Sequence, residues 1–288
     1  MSRPLVVVGD ALLDVDLVGS ASRLTPDAPV PVVEDVERRE RPGGAALAAV
    51  IAAIAVWIDP ALDLQIAAWL QSPAVKVTLA PLNPWFDTVR DGNVAFTAVF
   101  VVVAAGTLVI KLIAPHRRTL MTARAALLIL ATFALAPGLL VNGILKAHSN
   151  RPRPAAVVEL GGTQRFVQWW DFRGECDGNC SFVSGEASGA YALLAPAVVA
   201  PAPWRSLAIG AAVIYGTAIG VMRMAVGGHF ATDIVFAGVF TALIVWLLHG
   251  CIYRWTRTRL TEDDVEAFLA RGRLKIKAAL GSAPSRER

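Results

Sequence analysis

Charge is what this sequence has least of. Asp, Glu, Lys and Arg make up 17% of its 288 residues, hydrophobic side chains make up 55%, and mean hydropathy is +0.54. A water-soluble domain carries about 25% charged residues, so the composition excludes that class and points to a membrane protein. Cysteine is also scarce, at three residues, too few for a disulfide-built scaffold. A cleavable secretory leader is not expected either. Asp10, Asp14 and Asp16 stand where its apolar stretch would lie. The net charge of +4 is modest, and no nucleic-acid partner is expected.

What is present in abundance is long uncharged runs. Residues 42–58, 92–110, 125–145, 187–204, 206–222 and 234–253 each lack Asp, Glu, Lys and Arg. Each approaches the ~17 to 25 residues that a bilayer-spanning helix needs. Any one run alone reads equally as a buried core helix. Six together predict an all-α integral membrane protein of six transmembrane helices, because helices satisfy their own backbone in lipid.

Basic residues then set orientation. Lys111, Arg117, Arg118 and Arg124 lie between the second and third runs, Arg205 between the fourth and fifth, and Arg254, Arg257 and Arg259 after the sixth. These ends, with both termini, are expected in the cytoplasm. The loops 59–91, 146–186 and 223–233 then face the periplasm or exterior of an inner (cell) membrane. Cys176 and Cys180 share one of these loops, where an oxidising compartment favours a disulfide; two free thiols are the other reading. Cys251 reads as apolar filler. Trp85 and Phe86, in an amphipathic stretch over 81–93, and Trp169 with Trp170 suit the membrane interface, although plain loop packing accounts for them as well.

Some charges break the orientation rule and gather on the exterior face. They fall in "KAHSNRPRP" (146–154), "VSGEASG" (183–189) and "MRMAVGGHFATD" (222–233). Ionisable side chains at a membrane edge are costly and mark function. Lys146, Arg153 and Arg223 supply a point charge and two forked donors, suited to phosphate oxygens. Ser184 and Gly185, just ahead of a helix, add a hydroxyl and backbone amides. His229 and Asp233 are four apart, so on a helix they share a face. The carboxylate can then hold one ring nitrogen and leave the other as a nucleophile. Taken singly, Lys146 or Arg223 reads as a snorkelling side chain and His229 as structural; their joint spacing outweighs this.

The three segments, Lys-x6-Arg-Pro (146–154), Ser-Gly (184–185) and Arg-x5-His-x3-Asp (223–233), resemble the signature of the type 2 phosphatidic acid phosphatase superfamily, which also contains vanadium haloperoxidases. With the six runs, the resemblance covers about residues 43–255. It implies that family's helical bundle and a histidine that attacks phosphorus to form a phosphohistidine, which water hydrolyses. By position His229 is the nucleophile, Asp233 its orienting partner, and Lys146, Arg153 and Arg223 the phosphate ligands. No metal or other cofactor is implied. The family's second segment usually reads Pro-Ser-Gly-His and its third begins Ser-Arg; here Glu186 replaces that histidine and Met222 precedes Arg223.

Glu186 therefore has three readings. It is a substitute general acid, its pKa pushed up by burial or a bound phosphate and down by neighbouring cations. Alternatively His148 donates the proton and Glu186 pairs with a cation. In the third reading the site is inactive and Glu186 only complements the helix dipole.

The N-terminus is of another kind. Leu5 to Val8 read as a strand, and "LVVVGDALLDVDLVGSASRLTPDAPVPVVEDVERRERPGG" resembles the start of ribokinase-like kinases of heptose phosphate over about residues 4–48. Asp14 and Gly43-Gly44 would be sugar contacts there. That family's Gly-Ala-Gly-Asp motif has no counterpart, which excludes a kinase. The expected division is a cytoplasmic kinase-like fragment at 1–42, a membrane phosphatase domain at 43–255 and a basic cytoplasmic tail at 256–288, where Val265, Phe268, Leu269 and Leu274 are spaced as on an amphipathic helix. The function expected is metal-independent hydrolysis of a lipid phosphate monoester or diphosphate at the exterior face. Phosphatidic acid, phosphatidylglycerophosphate, polyprenyl diphosphate and lipid A are candidate substrates; a catalytically inactive lipid-phosphate-binding protein is the alternative. The partners expected are that lipid and the bilayer, and the sequence sets no oligomeric state.

Overall fold

The computed structural model describes residues 13–25, 28–42, 61–115 and 117–281, in two units divided near residue 58. The first unit contains an antiparallel two-stranded ribbon, β1 (Leu13–Thr25) and β2 (Ala28–Pro42), with Leu13 opposite Pro42 and Thr25 opposite Ala28. The apolar run at Leu5 to Val8 lies outside the described residues.

The second unit is helical. It comprises α1 (Leu62–Leu70), α2 (Pro73–Leu79), α3 (Asn83–Ile113), α4 (Ala123–His148), α5 (Gly185–Tyr191), α6 (Leu194–Val198), α7 (Ala202–Ala225), α8 (Ala231–Arg254) and α9 (Glu262–Gly281). Four candidate spans are long and apolar enough to cross a bilayer: Pro73–Ile113, which runs through α2 and α3, together with α4, α7 and α8. The chain is thus an integral membrane protein whose described residues supply four of the six expected spans. The first run, 42–58, falls almost wholly on residues that are not described. The run at 187–204 is instead broken into α5 and α6. Pro196 cannot donate to the carbonyl of Ala192, which accepts from Ala195 N at 3.0 Å in a tightened turn. Neither half reaches across a bilayer, and both are largely buried.

The helices pack around this broken element through small residues. On α7, Gly216 and Gly220 form a Gly-x-x-x-Gly face. A Cβ at Gly216 would lie 2.3 Å from the Tyr191 ring, and one at Gly220 would lie 2.2 Å from Ile234. Tyr191 and Ser188 then bond across to Thr217 and Thr241, each at 2.9 Å. α4 is continuous despite Pro137, widening into π-helical turns over Ala134–Leu145, where Asn142 Nδ2 donates to Pro137 O at 2.6 Å.

The interface segment at 81–93 is mostly the first turns of α3, with Trp85 exposed. Trp169 leaves the interface and packs on Phe182 and Phe236, ring centroids 6.1 and 4.3 Å away, while Trp170 stays partly exposed. The tail helix α9 is capped by Thr261 and Asp264 and tied to the bundle. Lys111 Nζ meets Glu266 at 2.7 Å, and Glu262 accepts from Ala123 N and Arg124 N at 2.5 and 3.2 Å. Val265 is buried, whereas Phe268 and Leu274 remain exposed.

Candidate active site

The end of the bundle opposite α9 gathers the acidic and basic side chains of α1, α4, α5, α7, α8 and the long 149–184 connection. At its centre is Arg151, 1% exposed, between two fully buried carboxylates. Its Nη2 meets Asp63 Oδ2 at 2.7 Å and its Nη1 meets Asp233 Oδ1 at 2.6 Å. Nη1 also reaches Thr232 Oγ1 at 2.8 Å, and Nε donates to Val167 O at 3.1 Å. Thr232 returns its backbone N–H to Asp63 Oδ1 at 3.0 Å and its hydroxyl to Asp63 Oδ2. Each nitrogen of the guanidinium and each carboxylate oxygen has at least one partner here, which a buried charge requires.

Asp233 is therefore not primarily a partner of His229. Its Oδ2 accepts from the Ser181 hydroxyl and, at 2.8 Å, from Phe230 N, closing the first turn of α8. His229 precedes that helix rather than sharing a face with Asp233, and its Nδ1 is 3.6 Å from Asp233 Oδ2. The hydrogen bond at Nδ1 runs instead to Ser181 O, at 2.8 Å. A carbonyl only accepts, so Nδ1 carries a proton and Nε2 is the nitrogen turned to the reactive side.

Across from Nε2 stands Glu186 Oε2, 3.7 Å away, and Arg223 Nε is 3.7 Å from Glu186 Oε1. Neither separation is a hydrogen bond. Glu186 Oε2, Arg223 Nε and His229 Nε2 are each buried with no hydrogen-bond partner among the described residues. The His229 ring first, then Arg223, outweighs burial and holds the Glu186 carboxyl well below the usual carboxylate range. The upward shift that would load Glu186 as an acid is not built into the resting site.

Lys146 lies over Gly185, where an added Cβ would sit 3.1 Å from Nζ and 2.9 Å from Asn142 Oδ1. Both Lys146 and Arg153 also reach Asn179. Arg153 Nε and Nη2 donate to Asn179 O at 3.1 and 3.0 Å, and Lys146 Nζ lies 3.5 Å from Asn179 Oδ1. Asn179 has φ of +48° inside a short loop closed by a disulfide between Cys176 and Cys180, Cα atoms 5.7 Å apart. Ser184 is the N-cap of α5. Its hydroxyl accepts from Ala187 N at 3.3 Å, and its own N–H goes to Asp233 O at 3.3 Å, so its amide is committed to the chain. With only seven residues, α5 offers little macrodipole. His148 turns back onto its own helix, Nδ1 bonding Ile144 O at 2.8 Å.

Arg151, Asp63, Ser181 and Asn179 escaped the sequence reading. Arg151 was open to notice, since "RPRP" holds two arginines and only one fits the recognised spacing. Asp63 shares an apolar stretch with Asp59, and nothing local marks its partner.

Against known families, residues 124–257 of this chain match the PAP2 superfamily. More particularly, 121 residues are 40% identical to a lipid A 4'-phosphatase of Francisella tularensis subsp. novicida, covering 42% of this chain and 54% of that protein. The chain thus spans about half the length of that relative. A separate stretch of 50 residues is 74% identical to the bifunctional protein HldE of Streptomyces coelicolor, covering 17% of this chain and 11% of HldE. Among solved structures, a PAP2 type phosphatidylglycerolphosphate phosphatase from Bacillus subtilis is similar at 21% identity and a TM-score of 0.40, over 72% of this chain and 98% of that one.

Removing the central cation strands two buried carboxylates, so Arg151→Ala should destabilise the protein by about 3–5 kcal/mol. Thermal unfolding in detergent reads this, and a midpoint within a degree of wild type would contradict it. Gly185→Ala should displace Asn142 and Lys146. It should weaken inorganic phosphate binding, measured by calorimetry, while leaving the unfolding midpoint nearly unchanged.

Proposed function

We propose that this protein is a membrane lipid phosphate phosphatase that works through a phosphohistidine on His229. The observation that carries the reading is the trio of buried, unpartnered polar atoms on His229, Glu186 and Arg223. Buried donors and acceptors without partners need a ligand, and a phosphoryl group among these three atoms would answer all of them. Lys146, Arg153 and the Ser184 hydroxyl border the same end and add charge and a further donor.

In the proposed step, His229 Nε2 attacks phosphorus and the bond from phosphorus to the lipid oxygen breaks. That oxygen needs a proton. Glu186 is positioned to give it, after which Glu186 as carboxylate takes a proton from the water that attacks the phosphohistidine, releasing inorganic phosphate and returning both groups to their starting forms. Attack requires His229 Nε2 bare and Glu186 protonated. The His229 ring and Arg223 favour the Glu186 anion in the resting site, so productive binding must move a proton onto that carboxyl. A phosphate close to Glu186 disfavours its anion and drives the move. The low resting pKa of Glu186 also supports the second reading, a site that holds a lipid phosphate without turning it over. His148 has no part in this scheme.

Among lipid phosphates we favour a phosphorylated glycolipid of the lipid A type, on the strength of the likeness to the lipid A 4'-phosphatase. We place the reacting end on the exterior face of an inner membrane, with the basic ends of α3, α4, α7 and α8 and both termini in the cytoplasm. Residues 1–42 are proposed as a kinase-like appendage without kinase activity.

Phosphate release from detergent-purified protein tests the scheme. His229→Ala should abolish it in a protein that still unfolds cooperatively. Glu186→Gln should slow release from lipid phosphates by about 10²–10⁴-fold, yet slow an aryl phosphate far less, because a phenolate leaves without a proton. Equal losses on both substrates would remove Glu186 from the acid role, and no release from any lipid by wild type would favour the binding-only reading. Because Glu186 must be protonated to act as the acid, the rate on lipid phosphates should fall as pH rises, and Glu186→Gln should remove that dependence.

A further inference from the structure

The helices that deliver the reactive side chains also deliver charge at their other ends. On α4, Arg124 is 22 residues before Lys146, about 33 Å along the helix at ~1.5 Å per residue. That is about the thickness of a bilayer's hydrocarbon core. On α7, Arg205 stands at the far end from Arg223, and on α8, His249 and Tyr253 stand at the far end from Asp233. Arg124, Arg205, His249 and Tyr253 line a cavity of about 530 Å³ whose apolar lining includes Ile129, Pro196 and Val199.

Three observations give this cavity a ligand chemistry. The first is an unanswered donor. Arg124 Nη2 donates to Ile252 O at 3.2 Å and its guanidinium lies 4.1 Å over the Tyr253 ring, but its Nε is buried with no hydrogen-bond partner. The second is charge. Arg205 commits only its Nε, to Ala200 O at 3.3 Å, which leaves its terminal nitrogens without an acceptor among the described residues. The one carboxylate in the lining, Glu262, already holds Ala123 N and Arg124 N, so two arginines face the cavity against one occupied acid. The third is the rim, where Leu120 is 89% exposed beside Met121. Two forked cations above an apolar wall, with exposed aliphatic side chains at the membrane edge, fit an anion that brings its own hydrocarbon.

We infer that this cavity binds the headgroup phosphate of an anionic phospholipid in the leaflet opposite the reactive end. Arg124 and Arg205 take the phosphate oxygens, and Leu120, Met121 and Val198 lie along the first carbons of the acyl chains. The site is independent of the reading of His229 and stands or falls without it.

The test uses the full-length protein in nanodiscs of phosphatidylcholine with a rising fraction of phosphatidylglycerol, read as the thermal unfolding midpoint. In wild type the midpoint should climb and saturate. In Arg205→Gln the half-saturating fraction should rise about tenfold or more, the loss expected for charge-assisted bonds. Arg259→Gln, on the same face outside the cavity lining, and Arg153→Gln, at the reactive end, should respond as wild type does. Equal responses in Arg205→Gln and wild type would overturn the site and assign the effect to diffuse surface charge. Loss in Arg153→Gln instead would move the lipid to the reactive end, which also overturns it. If millimolar inorganic phosphate in pure phosphatidylcholine reproduces the full rise, the site takes a free anion and the lipid assignment fails. Should Arg205→Gln not fold, Arg205→Lys replaces it, with an intermediate shift expected because charge is kept and the fork is lost.

Discussion

Arg151 between Asp63 and Asp233 is the interaction on which the reactive end depends. A charge with 1% exposure is tolerable only if every neighbouring acceptor is satisfied, and this one draws its partners from α1, from α8 and from the connection after α4. The geometry passes outward in steps. Arg151 fixes Asp233, Asp233 holds the Ser181 hydroxyl and the Phe230 amide, and Ser181 O fixes the ring of His229. The orientation of the nucleophile proposed here is thus set three hydrogen bonds away from the ring, by the buried Arg151. The carboxylate four residues after the histidine acts mainly through the backbone.

The same logic explains what was legible in the sequence. Lys146, Gly185, Arg223, His229 and Asp233 stood out because recurrent spacing places them, and the bundle does bring those segments to one end. What spacing does not carry is which acceptor each donor takes once the helices close. Four residues separate His229 from Asp233, which suggests a shared helical face. The helix begins only after His229, so the ring turns to Ser181 O instead. Asp63 and Arg151 are 88 residues apart, and their pairing depends on helix packing that no local pattern records.

Hydropathy was similarly informative up to a point. Runs at 92–110, 125–145, 206–222 and 234–253 lie within α3, α4, α7 and α8 because an uncharged stretch of that length has one stable form in lipid. The run at 187–204 has the same composition yet breaks at Ala192 and Leu193, one turn ahead of Pro196, into two short buried helices. Composition reports that a segment avoids water and does not distinguish lipid from protein as its refuge. Over 12 residues of π-helical turns, α4 makes the complementary point: Pro137 stands in that helix without ending it, and Asn142 Nδ2 donates to the proline's own carbonyl.

Asn179 adds a last consequence. Its backbone and side-chain oxygens face the nitrogens of Arg153 and Lys146, held there by a loop whose ends a disulfide joins. If Lys146 and Arg153 take phosphate as proposed, the anion would not meet bare charge. It would compete with a resident acceptor, so capture would be an exchange whose net gain is the difference between two sets of bonds. Such a site would be sparing in affinity and would let product go as readily as substrate came, with the loop ready to take the cations back.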